Sequence, residues 1–314
     1  MYIGIDLGGT NIAAALVDSG GKISKRADAR VITSGGAKTI IDGLVSVCDQ
    51  LLGGKQVVPD SIGIGIPGTV DDAAGEVVFT PNLPLSKIAV TRELELTFGC
   101  PVRLGNDANC AALGEMFAGG AKGAKDVVFL TLGTGIGGGV IIDGKLITGV
   151  SGAASELGHM VIMTGGRHCG CGRQGCFETY ASATGLARTA IEFIGAHKES
   201  VIWELCDGFA EKVDGRTVFD AFRLGDKAAQ LIVERYVGHL GAGIINIINM
   251  LEPELICIGG GISNAWDCIS EPINKLVDAE KFYRFSPDMP CTKIVKAELG
   301  NDAGIIGAAL LCKA

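Results

Sequence analysis

Tyr2-Ile3-Gly4-Ile5-Asp6-Leu7-Gly8-Gly9-Thr10-Asn11-Ile12-Ala13-Ala14-Ala15-Leu16-Val17 is the stretch whose reading decides the fold. An apolar run, a glycine-rich turn and a second apolar run ending at Asp18-Ser19-Gly20-Gly21 describe a β-hairpin with a glycine tip. The pattern returns as Val128-Phe129-Leu130-Thr131-Leu132, then Gly133-Thr134-Gly135-Ile136-Gly137-Gly138-Gly139, then a returning strand Val140-Ile141-Ile142-Asp143-Gly144-Lys145. Gly133 falls in the place of Gly8 and Asp143 in that of Asp18. A duplicated strand, glycine turn and strand, each opening a segment of similar size, predicts two related α/β domains facing each other.

Outward from the first hairpin, Ser61-Ile62-Gly63-Ile64-Gly65-Ile66 reads as a strand stopped by Pro67-Gly68, and Val102-Arg103-Leu104 as a shorter one. Asn106-Asp107 opens a helix from Ala108 to about Phe117, where either residue would serve as a plain N-cap. Beyond the second hairpin come a loop-rich region, helical stretches near 182–194 and 227–250, a strand at Leu255-Ile256-Cys257-Ile258 leading into Gly259-Gly260-Gly261, and a closing helix from Asn301 to Leu311. No low-complexity linker separates the halves.

The 314 residues carry 27 Lys and Arg against 35 Asp and Glu, a net charge of −8, and 47% hydrophobic residues, which gives a globular chain with a sizeable core. The acidic balance argues against nucleic acid or an anionic membrane as a partner, because both demand a basic footprint. Met1-Tyr2-Ile3-Gly4-Ile5-Asp6 has no signal-peptide pattern, and no run of about 18 apolar residues marks a membrane span, so a cytoplasmic protein is expected. Eleven cysteines, an odd number, fit reduced thiols, with a metal site only where they cluster.

They cluster once. His159 and His168 accompany Cys169-Gly170-Cys171-Gly172-Arg173-Gln174-Gly175-Cys176. Three thiolates and one imidazole are the inventory of structural Zn²⁺. Spacing leaves both histidines open; His168 adjoins Cys169 and would strain to share its ion, which favours His159. A closed four-coordinate site would organise a loop and leave the chemistry to other groups.

Glycine turns after strands let backbone N–H groups approach an anion, and two from a duplicated fold, with Gly259-Gly260-Gly261, would clamp a polyphosphate. One such loop alone would be an ordinary hairpin turn. Asp6, at the end of the first strand, suits Mg²⁺ held through water. Phosphoryl transfer to a hydroxyl needs a carboxylate to take its proton, and Asp107, at a strand end and a helix start, is the candidate. Glu156 and His159, three apart on one face, with Glu178 beyond the cysteines, supply polar groups of the kind a polyhydroxylated ligand needs.

The segments Gly4-Ile5-Asp6-Leu7-Gly8-Gly9-Thr10, Gly105-Asn106-Asp107-Ala108-Asn109, Leu132-Gly133-Thr134-Gly135-Ile136-Gly137-Gly138-Gly139, Glu156-Leu157-Gly158-His159 and the cysteine cluster through Glu178 together resemble the ROK family of sugar kinases and repressors, over nearly the whole chain. The resemblance implies an actin-like, hexokinase-type ATPase fold of two duplicated α/β domains around a catalytic cleft, here 1–117 with 299–314 and 118–298. It implies Asp107 as the general base acting on a sugar hydroxyl, usually that on C6, as it attacks ATP. It implies sugar contacts from Gly68, Asn106, Asp107, Glu156, His159 and Glu178, and zinc on His159, Cys169, Cys171 and Cys176. Phosphate contacts are implied for Gly4, Asp6, Gly8, Gly9, Thr10 and Asn11, and for Gly133, Thr134, Gly135, Gly137, Gly138 and Gly260. His159 would then touch zinc through one nitrogen and sugar through the other. ATP, Mg²⁺, a structural Zn²⁺ and a homodimer complete what the family implies. Among its kinases the chain is most similar to bacterial glucokinases. Kinases of fructose, allose, N-acetylglucosamine and N-acetylmannosamine share the same contacts, and a sugar-sensing protein with a vestigial site is the rival from another class. Family repressors carry a helix-turn-helix domain before the first phosphate loop, which here begins at Gly4.

Overall fold

The computed structural model describes residues 1–54, 57–282 and 291–313. β1 (Tyr2–Leu7) and β2 (Asn11–Val17) pair antiparallel, from Leu7 opposite Ile12 to Tyr2 opposite Val17. β3 (Ile23–Arg30) joins the outer edge of β2; α1 (Ala37–Leu52) follows, and β4 (Ser61–Ile66) returns parallel to β1. Every residue of β4 is buried, as an unalternating apolar run requires in a sheet covered on both faces. A small antiparallel set, β5 (Thr69–Asp71), β6 (Glu76–Phe79) and β7 (Ile88–Ala89), precedes α2 (Thr91–Phe98). β8 (Val102–Asn106) lies parallel to β4 and runs straight into α3 (Asp107–Ala118), giving the order β3-β2-β1-β4-β8.

The second hairpin is β9 (Val127–Leu132) and β10 (Ile136–Ile142), followed by β11 (Lys145–Leu146). Where the sequence suggested one strand through to Lys145, the chain turns: Asp143 and Gly144 have φ of 50° and 72°, the two positive values of a tight hairpin. The helices α4 (Glu178–Ala181), α5 (Ala183–Ile194), α6 (Ile202–Leu205), α7 (Gly215–Arg223) and α8 (Lys227–Leu251) lead to β12 (Leu255–Gly259), α9 (Trp266–Glu280), β13 (Lys293–Lys296) and α10 (Asp302–Ala309). The second sheet has the order β11-β10-β9-β12-β13, which repeats the first position for position. The duplication read from the glycine turns is therefore a duplication of topology.

Two compact units divide the residues: Met1–Phe129 with Gly138–Ser155 and Ala297–Ala314, and Leu130–Gly137 with Glu156–Lys296. In the first, Ile40, Leu44 and Val47 of α1 and Leu94 of α2 are buried in one core with Ile3, Ile5, Ile62 and Ile64 of the sheet. Each fully buried aliphatic side chain contributes roughly 1.5–3 kcal/mol. The other face receives α10 so closely that a Cβ on Gly4 would stand 1.9 Å from the Ile305 carbonyl oxygen. Packing by itself therefore accounts for a glycine at residue 4. Glu115 of α3 is fully buried and accepts the N–H groups of Gly120, Glu298 and Leu299 at 2.8–3.0 Å, fastening the chain just before α10.

In the second unit α8 is the long core helix, packed on α5, α7 and α9. Among the described residues it alone is long and apolar enough to cross a membrane, and 61% of its apolar window is buried, as in a central helix of a globular core.

Candidate active site

Parallel strands of open α/β sheets gather ligands beyond their carboxyl ends. In the first unit those ends are Asp6 on β1, Pro67-Gly68 after β4, and Asn106-Asp107 after β8. Asn106 is the N-cap of α3. Its Oδ1 accepts the N–H groups of Ala108 and Asn109 at 2.9 and 3.1 Å, and its Nδ2 donates to the Gly68 carbonyl at 3.0 Å. Gly68 has φ 129°, and a Cβ there would lie 2.1 Å from the Phe79 carbonyl oxygen, so no other residue takes that carbonyl to Asn106.

With Asn106 as the cap, Asp107 is the first helical residue. Its Oδ1 accepts the Ala108 N–H at 2.8 Å and its side chain reaches solvent at the tip. Protein packed around the carboxyl raises its pKa above the ordinary value, against the lowering pull of the Ala108 amide. Half-buried Asp6 is pushed up to about 6, first by burial and then by the negative charge of Asp107. Two carboxyls whose ionisation is held back by burial, and for Asp6 also by the charge of Asp107, form a donor set that a hard dication would relieve. At the hairpin tip, Gly8 N–H bonds the Asn11 carbonyl at 2.9 Å and the Thr10 carbonyl accepts the Val31 N–H at 2.9 Å; Gly9, Thr10 and Asn11 are exposed.

In the second unit the matching turn closes with Gly133 N–H on the Gly135 carbonyl at 3.0 Å, leaving Thr134 exposed, while Gly137 and Gly138 continue into β10. Gly260, at φ 79°, lies against the Leu132 backbone at the end of β12. Beside it a cavity of about 490 Å³ is lined by Gly215, Arg216, Phe219, Gly261, Ile262 and Asn264 among others.

The ligating atoms of His159, Cys169, Cys171 and Cys176 lie within 4.8 Å of one another. Cys171 Sγ is 3.7 Å from Cys176 Sγ, and Cys169 Sγ is 3.6 Å from His159 Nδ1. A tetrahedron with Zn–S of about 2.3 Å and Zn–N of about 2.0 Å has edges of about 3.5–3.8 Å, so the donor set fits Zn²⁺ in kind and in spacing. His168 turns instead to Gln174, its Nε2 3.3 Å from the amide nitrogen. The short 3₁₀ turn Leu157–His159 brings His159 Nε2 to 3.9 Å from Glu156 Oε2 while Nδ1 faces the thiols. Glu178, at the start of α4, stands with Oε1 3.0 Å from Cys169 Sγ and 3.6 Å from His159 Nδ1, and its Oε2 accepts the Ile136 N–H at 3.4 Å.

One residue here gave no signal in the sequence. Arg167 donates to the Thr179 and Gly185 carbonyls at 2.9 and 3.2 Å and to Glu192 at 2.6 Å, and lies over the Tyr180 ring, so it binds the cysteine loop to α4 and α5. A lone arginine between glycines and a histidine carries no pattern. Glu115 did carry one, a carboxylate inside the apolar helix after Asp107, with partners too distant in sequence to name.

The ROK family profile matches residues 2–314. A glucokinase of Thermotoga maritima is 38% identical over 99% of this chain and 96% of its own length. An N-acetyl-D-glucosamine kinase of Vibrio vulnificus is 33% identical, over 99% of each chain. Among solved structures, a ROK family glucokinase from Streptomyces griseus in complex with glucose and AMPPNP superposes with a TM-score of 0.77 at 36% identity, covering 99% of this chain and 98% of that one. With the duplicated sheets, the acid pair and the thiol cluster in place, the chain belongs to the ROK family and has its actin-like, hexokinase-type ATPase fold.

Proposed function

We propose that the protein transfers the γ-phosphoryl group of ATP to the C6 hydroxyl of a hexose, glucose giving glucose 6-phosphate, with Asp107 as the base. The observation that carries this is the division of labour at the start of α3: Asn106 caps the helix, and Asp107 presents a carboxyl of raised proton affinity. A carboxylate whose proton affinity is raised by burial takes the hydroxyl proton more readily than an ordinary aspartate. As the oxygen attacks the phosphorus, the proton passes to Asp107 and ADP leaves. Asn106, fixed by its own cap bonds and by Gly68, orients the same hydroxyl face.

Each unit carries part of the residue set that the family resemblance implies. From the first come Asp107, Asn106, Gly68 and the turn Asp6, Gly8, Gly9, Thr10 and Asn11; Gly4 supports that turn through packing. From the second come Glu156, His159 and Glu178 for sugar hydroxyls, and Gly133, Thr134, Gly135, Gly137 and Gly260 for phosphates, with Gly138 continuing the same strand. The 490 Å³ cavity beside Gly261 has the size for a nucleoside. Mg²⁺ would be held by Asp6, through water, and would offset phosphate charge. Zn²⁺ on His159, Cys169, Cys171 and Cys176 would order the loop, and with Nδ1 given to the metal His159 keeps Nε2 for a hydroxyl. A homodimer in the cytoplasm, with domains at 1–117 with 299–314 and 118–298, completes the proposal. A net charge of −8 gives no footing for nucleic acid or an anionic membrane.

The 33% identity to an N-acetylglucosamine kinase keeps a second sugar in view, as the shared contacts do for fructose, allose and N-acetylmannosamine. A non-catalytic sugar sensor is the reading to beat. Asp107→Asn separates them: glucose affinity by calorimetry stays within about threefold while turnover falls by about 10³-fold or more. A variant that turns over at the wild-type rate removes Asp107 from its role.

A further inference from the structure

Residues 176–183 touch both the thiol cluster and the second glycine turn. Cys176 belongs to the cluster. Two residues on, Glu178 reaches back to Cys169 and His159 with one oxygen and to the Ile136 N–H with the other, so closely seated that a Cβ on Gly135 would stand 2.6 Å from Oε2. At the far end Ser182 caps α5, accepting the Gly185 N–H at 3.0 Å, and Ala183 N–H bonds the Gly133 carbonyl at 2.8 Å. The turn is thus gripped at Ile136 by the beginning of this segment and at Gly133 by its end. Arg167 makes the ligand loop and the segment one hydrogen-bonded body, holding Thr179 and Gly185 on either side of Ala183.

We propose that residues 176–183 form a strut that couples occupancy of the His159, Cys169, Cys171 and Cys176 cluster to the shape of the Gly133-Thr134-Gly135-Ile136 turn, with Glu178 as the positioning residue. Metal loading fixes Cys176, and the turn is held in the form that takes the nucleotide phosphates; metal loss loosens both grips. The cluster then supports the nucleotide as well as the sugar. Sugar contact by Glu178 would not produce this, because its second oxygen is spent on the turn. The nucleotide half rests on the phosphate-binding role proposed above; the mechanical half does not.

The test uses the full-length protein, zinc-loaded and chelator-stripped, with circular dichroism to show that the stripped form is folded, together with zinc-loaded Glu178→Ala and Glu178→Gln. Hydrogen exchange at 133–137 is read without ligand, and Mg-ADP affinity by calorimetry without sugar. Stripping and Glu178→Ala are each expected to speed exchange at Ile136 and to weaken Mg-ADP at least about fivefold. Glu178→Gln, whose amide oxygen still accepts the Ile136 N–H, retains most of the affinity. Should stripping unfold the protein, Glu178→Ala decides alone. Unchanged exchange at 133–137 in stripped protein or in Glu178→Ala overturns the strut. Faster exchange with no Mg-ADP binding to any form upholds the strut and sinks the kinase reading.

Discussion

The two hairpins share a strand order and differ in almost everything their side chains do. Where the first strand ends in Asp6 the second has Thr131, and where the first has Gly4 under α10 the second has buried Phe129. The first turn carries its own carboxylate and lies near a second, Asp107, whose charge raises its pKa. The second has no acid on its strand; a carboxylate reaches it from Glu178, beside the thiol cluster. Duplication conserved the backbone scaffold, and the ionisable groups are shared out unevenly: a carboxyl pair stands at one hairpin, a carboxylate beside a thiol cluster at the other.

Gly4 against Phe129 is the sharpest way to break this comparison. Gly4→Ala forces a methyl group against the Ile305 carbonyl and is expected to lower unfolding free energy by about 3 kcal/mol in denaturant titration. Phe129→Leu, at the matching place, only thins the packing and costs about 1 kcal/mol. Equal costs would mean that α10 yields and does not sit flush.

The acid pair separates the hairpins by pH. Folding raises Asp6 from 3.8 to about 6, so the native state binds the extra proton. Its favourable contribution is complete below about pH 4 and lost as pH rises through about 6. Asp6→Asn should therefore melt higher than wild type at about pH 8, by about 1–2 kcal/mol, and the gain should vanish near pH 4. Thr131→Asn should give no such pH-dependent difference. A gain for Asp6→Asn that is constant from about pH 4 to 8 would show that Asp6 titrates normally.

The smallest effect expected is at the cap. Asn106→Ala loses two accepted N–H bonds and the Gly68 tie, for about 1 kcal/mol of stability by thermal melting. Its sugar KM should rise with it. A stability loss with an unmoved KM would restrict Asn106 to capping.

Much of this was legible in the sequence because the signals were local. The glycine turns, the cysteine spacing and the Asn106-Asp107 step all lie within a few residues of the hairpin tips, the thiol cluster and the helix start that they form. Which of Asn106 and Asp107 caps the helix needed the backbone, and Asn106 proved to be the cap. Spacing favoured His159 over His168 without deciding it, and the folded loop brings His159 to the thiols and turns His168 to Gln174. Contacts across long stretches of chain left no trace: Gly4 with Ile305, Glu115 with residues 298 and 299, and the grip of Glu178 on Ile136.

The most direct test is ADP release with Mg-ATP across glucose, fructose, mannose, allose, N-acetylglucosamine and N-acetylmannosamine. The account predicts turnover with glucose above the other sugars by about tenfold or more in kcat/KM. Silence across the panel from folded, zinc-loaded protein that still binds sugar would contradict it and establish the sensor.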